Sequence, residues 1–262
     1  MKAFKIFLFT SCLLASANLS AQTPQSIETG LLKSFNRIGY WDEKLNDTTF
    51  NAGDSLDKAN DVFGAKLKAV AEKYPGTIAL PFLQLKKASL DIVTSSDGLF
   101  RIYWWDIGGG GTIRLFANVF QYKTDGKTKA KLLLDFEVKD KLIPYYTKLY
   151  MFKTANKTYY LGIYGFIESS RYAGAGIKIF AIENGQLNTE VKLLKTQSGL
   201  KNEISYEYDF GSVNYKRPVV TFDSVTHTIK IPLVTATGRV TKKFITYKFT
   251  GKYFEKVTNL AK

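Results

Sequence analysis

The chain has 262 residues, with 37 Lys and Arg against 23 Asp and Glu, and a formal net charge of +14. Cys12 is its single cysteine and His227 its single histidine, which excludes an internal disulfide and a His-rich zinc site. A chain of this length buries a substantial core without such staples.

Residues 1–21 read as a secretory signal peptide: Met1 to Lys5 is a short basic start, Ile6 to Ala17 is apolar, and Asn18 to Ala21 is a small, polar exit. The apolar run falls short of the roughly 20 residues needed to span a bilayer. Cleavage before Gln22 is favoured over cleavage after Ala15-Ser-Ala17. A less favoured alternative makes Cys12 a lipidated first residue, as in an outer-membrane lipoprotein. The expected address is therefore secreted or periplasmic, with no integral membrane span and a mature chain free of cysteine.

Residues 22–88 read as helical. Ile27, Leu31, Phe35, Ile38, Trp41 and Leu45 recur at helical spacing behind Ser26 as a plausible N-cap. Leu56, Ala59, Phe63, Leu67, Val70 and Tyr74 form a second stripe, with Asp54 to cap it and Pro75-Gly76 to stop it. Asn46 to Gly53 joins the two into a helical hairpin. Ile78 to Lys87 fits either a short helix or a buried strand.

From residue 89 onward the period changes to two. Turns at Ser95–Gly98, Thr124–Lys127, Ala155–Lys157 and Glu183–Gly185 recur every 28 to 30 residues, with strands between them. Later strands are expected at Val219–Asp223, Thr228–Val234, Val240–Thr250 and Lys252–Val257. The fold class is thus α+β: an N-terminal helical hairpin, then an antiparallel β-meander over 89–262, as a barrel or a sandwich. A propeller is disfavoured, because a four-stranded blade needs roughly 40–50 residues. The β region and the helices are expected to form one compact domain.

The charge is unevenly placed. Residues 22–96 balance nine basic against nine acidic side chains, and 97–262 holds 26 against 14. Such a surface suits an anionic envelope component. It also solubilises strands and discourages edge pairing. No compact basic cluster forms a nucleic-acid motif, so nucleic acid is not an expected partner. Asn46 and Asn156 each begin an Asn-x-Thr sequence, a pattern that chance supplies as easily as glycosylation.

The most distinctive segment runs from Phe100 to Tyr122. Alternation places Phe100, Ile102 and Trp104 on one face and Arg101, Tyr103 and Trp105 on the other. On the return strand Ala117 and Val119 oppose Arg114, Phe116, Asn118, Phe120 and Tyr122. Rings on both faces fit a strand pair that is core on both sides. They also permit a platform for a sugar, and the candidate binding residues are then Trp104, Trp105, Asp106, Arg114 and Tyr122. Gly108–Gly111 lacks the Lys-Ser/Thr and the helix of a phosphate loop and reads as a wide turn. Tyr172–Gly176 reads as a small-residue loop after Glu168–Arg171. His227 sits in a turn with no motif around it. Asp106, Asp135, Glu137, Glu168, Glu183, Glu203, Glu207 and Asp209 are the carboxylates from which a glycosidase pair would have to come. No catalytic residue, metal ligand or cofactor is assigned.

The stretch Ser96-Asp-Gly98, Arg101-Ile-Tyr103, Trp105-Asp106, Gly110-Gly-Thr112, Arg114, Gln121-Tyr122 resembles a segment of uncharacterised secreted proteins of Bacteroidota-type bacteria. The Ser-Ala-Gln22 signal ending and the closing Phe249–Phe254 are similar too, whereas that family is more polar where Ile107-Gly108-Gly109 stand here. The resemblance implies an exported helix-then-sheet protein and carries no activity, cofactor or catalytic residue. Two functions are expected from the whole: a non-enzymatic binding or envelope-associated module with a basic β surface, or a carbohydrate-binding or carbohydrate-active protein using exposed aromatics and carboxylates. Oligomeric state is left open.

Overall fold

The computed structural model describes residues 23–49, 51–134, 143–212 and 219–257. The signal-peptide and Cys12 readings fall outside them, as do Asp135 and Glu137. Two antiparallel helices lead. Helix α1 spans Pro24–Glu43 and buries Ile27, Leu31, Phe35 and Ile38. Its cap is Thr23 rather than Ser26: Thr23 Oγ1 accepts from Ser26 N at 3.1 Å, and Pro24 opens the first turn. Leu45 lies beyond the helix end and is exposed.

Helix α2, Ala52–Lys73, buries Leu56, Ala59, Phe63 and Leu67. Asp54 sits in its first turn rather than at the cap and accepts from Asn51 Nδ2 at 2.6 Å. The ambiguous stretch resolves as a 3-10 turn at Pro75–Ala79 and the short helix α3, Leu83–Lys87.

Fifteen strands follow among the described residues, in three sheets. The first is a plain meander of β1 (Asp91–Thr94), β2 (Phe100–Asp106), β3 (Phe116–Thr124) and β4 (Lys127–Leu133). The second has the order β11-β7-β6-β5, from β5 (Tyr145–Lys153), β6 (Thr158–Ile167), β7 (Tyr172–Glu183) and β11 (Glu203–Asp209), with β8 (Gln186–Asn188) beside β7. The third has the order β10-β9-β15-β14-β13-β12, from β9 (Leu194–Thr196), β10 (Gly199–Lys201), β12 (Thr221–Asp223), β13 (Thr228–Val234), β14 (Val240–Phe249) and β15 (Phe254–Lys256).

Two hairpin turns show why they were legible. Asp125-Gly126 and Asn184-Gly185 have φ of 50°, 70°, 51° and 72°, the left-handed pair that a two-residue turn needs and that Asp-Gly and Asn-Gly supply.

The layers stack as helices, sheet one, sheet two, sheet three. Tyr103, Trp105, Ala117 and Val119 of the first sheet pack on the helices, with Phe63 set edge-on to Trp105 at 4.9 Å. The opposite face, Phe100, Ile102, Phe120 and Tyr122, packs on Tyr146, Tyr160, Tyr164 and Phe180 of the second sheet. The second sheet's far face, Phe152, Leu161, Ile163, Ile177 and Ile179, packs on Phe222, Ile229, Ile231 and Phe254 of the third. The fold is therefore the α+β class expected, with no closed barrel among the described residues.

The continuous meander is corrected. Strands apolar on both faces need a partner layer on each side, so the chain divides into three face-packed sheets. β9 and β15 pair in parallel, Leu194 against Phe254. Tyr172–Gly176 is also corrected, from a loop to the first half of β7.

Candidate functional site

Between the first and second sheets lies a cavity of ≈ 500 Å³, within the usual range of about 300–1,000 Å³ for small-molecule sites. Its floor is Asn118 and Phe120 of β3, Tyr146 of β5 and Phe180 of β7, all almost fully buried. Its rim carries Lys131, Glu168, Lys178, Glu203 and Ser205.

Glycines shape this space. Tyr164 pairs with Gly176 and Phe166 with Gly174 across β6 and β7. A methyl group at Gly176 would lie 2.6 Å from Tyr164 Cζ, and one at Gly174 would overlap the Phe166 ring. The two rings therefore lie over bare backbone and line the cavity instead of filling it. At Gly162 a methyl would meet Tyr146 and Phe180 in the same way. The small residues read from the sequence as a loop are thus what seats the cavity's rings.

Asn118 is fully buried, and its amide is only half used. Nδ2 donates to the Pro144 carbonyl at 2.9 Å, while Oδ1 is the one buried side-chain polar atom without a hydrogen-bond partner among the described residues. The amide cannot be turned over, because that would set its oxygen against the Pro144 oxygen. Buried polar groups are ordinarily paired, and an orphan calls for a reason.

Around it the charges balance. Glu203 pairs across the strands with Lys178 at 3.2 Å. Burial pushes the Tyr146 hydroxyl well up, with Tyr164 and Glu203 adding to the effect. Tyr164 is raised by burial and Glu203 against an opposing hydrogen bond from Ser205. Burial, then Glu207, raises the Glu168 carboxyl. Both phenols therefore stay protonated and neutral at physiological pH.

The five residues singled out from the sequence fall elsewhere. Trp105 is wholly buried on the helix side, its Nε1 donating to Asn60 Oδ1 at 2.9 Å. Trp104 is half-buried against Phe116 and Tyr145. It touches the site indirectly, since its Nε1 donates to the Tyr146 carbonyl at 2.6 Å and pins the start of β5. Asp106 and Arg114 do meet, as an exposed pair at 3.3 Å beside the glycine turn. Tyr122 is buried beside Phe100, facing the second sheet. None of the five lines the cavity.

Gly108–Gly111 is the expected wide turn: Gly108 N and Gly109 N donate to Asp106 Oδ1 and Asp42 Oδ1. His227 sits in the β12–β13 turn with its ring on Phe152. Glu183 accepts from Lys157 and Asn188, and Asp209 pairs with Arg171 at 2.9 Å. Of the candidate carboxylates among the described residues, only Glu168 and Glu203 line the cavity. Among the described residues no group of three His, Cys, Asp or Glu is placed to hold a metal ion, and no helix is long and apolar enough to cross a membrane.

A sequence signal for the site did exist. β3 buries seven residues in succession, Phe116 to Tyr122, so each polar residue within it needs partners. Gln121 has them all: Nε2 donates to the Ala71 carbonyl and Thr77 Oγ1, and Oε1 accepts from Tyr103. Asn118 does not. No protein-family model, curated protein or solved structure matches the chain.

Proposed function

We propose that the chain is an exported, non-enzymatic binding module that holds a small molecule in the cavity between its first two sheets. The observation that supports this most is the ≈ 500 Å³ cavity itself, walled by Phe120, Tyr146, Tyr164, Phe166 and Phe180 with Lys131, Lys178, Glu168 and Glu203 at its rim. Aromatic walls with a few convergent polar groups are the usual form of a small-molecule site. The sequence of residues 1–21 supports the exported address, and the resemblance to secreted Bacteroidota-type proteins agrees with it.

The test is thermal unfolding of the purified protein against a fragment library of neutral, anionic and cationic compounds. Its control is Ser205→Trp, which plugs the rim from an exposed strand position. A ligand at one hundred times its Kd stabilises by about 2.7 kcal/mol. For a chain of this size that moves Tm by about 5–10 °C, and the shift should vanish in Ser205→Trp. A library without one stabilising compound, or equal shifts in both proteins, would defeat the proposal.

A second reading concerns the outer layer. The strands of the third sheet carry seven lysines (Lys195, Lys201, Lys230, Lys242, Lys243, Lys248 and Lys256), all exposed, against Asp223 and Glu255. Glu255 is already engaged by Lys195. This imbalance supports attraction to an anionic envelope component. Retention on heparin and on anionic vesicles that falls as salt rises is the expected result; negligible retention at low salt would end the reading.

A further inference from the structure

The outer layer of the stack carries its own recognition chemistry. The stretch from Ser224 to Phe254, which contains β13 and β14, holds six basic residues and no acidic one. Ile229 and Ile231 of β13 and Tyr247 of β14 are buried against the second sheet. Alternation therefore turns Lys230 of β13 and Lys242, Phe244 and Lys248 of β14 to the opposite face. Register sets Lys230 beside Thr246 and Lys248 beside Thr228, and the three lysines are exposed. The carboxylates flanking this face are already engaged, Glu255 by Lys195 and Asp223 by the Val225 and Thr226 amides of its turn.

Between Lys242 and Lys248 stands Phe244, a large ring that is 52% exposed on a strand. Leu233, Arg239 and Lys243, toward the far end of the same hairpin, are exposed as well. A soluble polyanion would answer the lysines and leave the ring in water. An anionic bilayer answers both, because headgroup phosphates meet the ammonium groups while an apolar side chain enters the acyl boundary. Lysine stems lie along such a boundary with their charge among the headgroups. We propose that this face of the third sheet docks on an anionic phospholipid surface, with Phe244 inserted and Lys230, Lys242 and Lys248 among the headgroups. This rests on the second reading above and goes beyond it by naming a bilayer as the partner.

The experiment is co-sedimentation of the full chain with vesicles of phosphatidylglycerol and phosphatidylcholine in equal parts, set beside retention on heparin. The variants are Phe244→Ser, Phe244→Trp, a triple change of Lys230, Lys242 and Lys248 to Gln, and a control triple change of the exposed helix residues Lys33, Lys58 and Lys87 to Gln. Residues 1–21 are common to all of them, so the differences report the face. The face triple should weaken vesicle binding ~100-fold, about 5-fold for each lysine, and the helix triple should leave it near wild type. Phe244→Ser should weaken vesicle binding ~5-fold or more and leave heparin retention unchanged. In Phe244→Trp, lipids brominated on the acyl chain should quench tryptophan fluorescence beyond the wild-type level. Circular dichroism checks folding, and the quenching carries the test should the face triple fail to fold.

Heparin retention without vesicle binding would overturn the bilayer inference and leave the second reading standing. Vesicle binding unchanged in Phe244→Ser, with no added quenching in Phe244→Trp, would do the same. Equal losses in the face and helix triples would assign the binding to net charge and overturn the inference. Absence of binding to both vesicles and heparin would overturn the inference and the second reading together.

Discussion

Two buried asparagines draw the line between structure and function at the scale of single residues. Asn60 spends its whole amide on the fold: Nδ2 donates to the Leu56 and Ile107 carbonyls, and Oδ1 accepts from Trp105 Nε1. Asn118 spends half. Replacing Asn60 by Leu should cost about 1–3 kcal/mol for each group left unpaired. Asn118→Leu should cost less than Asn60→Leu, because it removes an unsatisfied acceptor and strands only the half-buried Pro144 carbonyl. Urea denaturation of the two variants decides this, and equal losses would contradict the distinction. Gly176 gives a third case. A Cβ there meets the Ile204 carbonyl oxygen at 2.7 Å as well as the Tyr164 ring, and backbone yields less than a ring. Gly176→Ala should therefore lose about 1–3 kcal/mol, read from the same denaturation midpoints.

Among the elements, those set by local chemistry were legible. The two helices follow from a 3.6-residue apolar period, and the Asp-Gly and Asn-Gly turns follow from backbone that few other residues adopt. Rings on both faces of Phe100–Tyr122 were readable too, and both faces are core, one against the helices and one against the second sheet. Pairings decided far along the chain were not legible. Leu194 meets Phe254 in a parallel ladder, and nothing local to either residue announces it. The Tyr172–Gly176 run looked like a loop because glycine is rare inside strands. It is strand here because Phe166 and Tyr164 cover the bare backbone. The cavity escaped for the same reason: it belongs to two sheets at once, and of the two tryptophans Trp105 faces the helices while Trp104, paired with Asn118 across β2 and β3, packs beside the cavity without lining it. Glu168, at the end of β6, carries one expectation at this scale. Its raised pKa means the folded state favours the protonated carboxyl, so its ionisation works against stability at neutral pH. That penalty fades as pH falls through the glutamate range. Glu168→Gln should raise the unfolding midpoint at pH 7 and make little difference in acid; a midpoint lower at pH 7 would contradict this.

Taken as a whole, the molecule is a stack in which tyrosines hold the middle. Tyr103, Tyr146, Tyr160, Tyr164, Tyr206 and Tyr247 all have their hydroxyls raised above the usual phenol value, in each case chiefly by burial. For an acid raised on folding, the stability is complete below the unfolded-state pKa of about 10 and is lost as pH climbs above it. Alkaline unfolding should therefore be steep. Tyrosinate absorbance from these residues should appear together with loss of near-ultraviolet circular dichroism, and tyrosinate rising well before the structure is lost would contradict the account. The central claim, that the space between the first two sheets is a binding site walled by rings of both, is tested most directly by amide-resolved NMR. The labelled full chain is titrated with the compounds that stabilise it thermally. The account predicts shifts centred on the Asn118 side-chain amide, Tyr146, Tyr164 and Glu203, and absent in Ser205→Trp; shifts confined to other surfaces, with these residues unmoved, would contradict it.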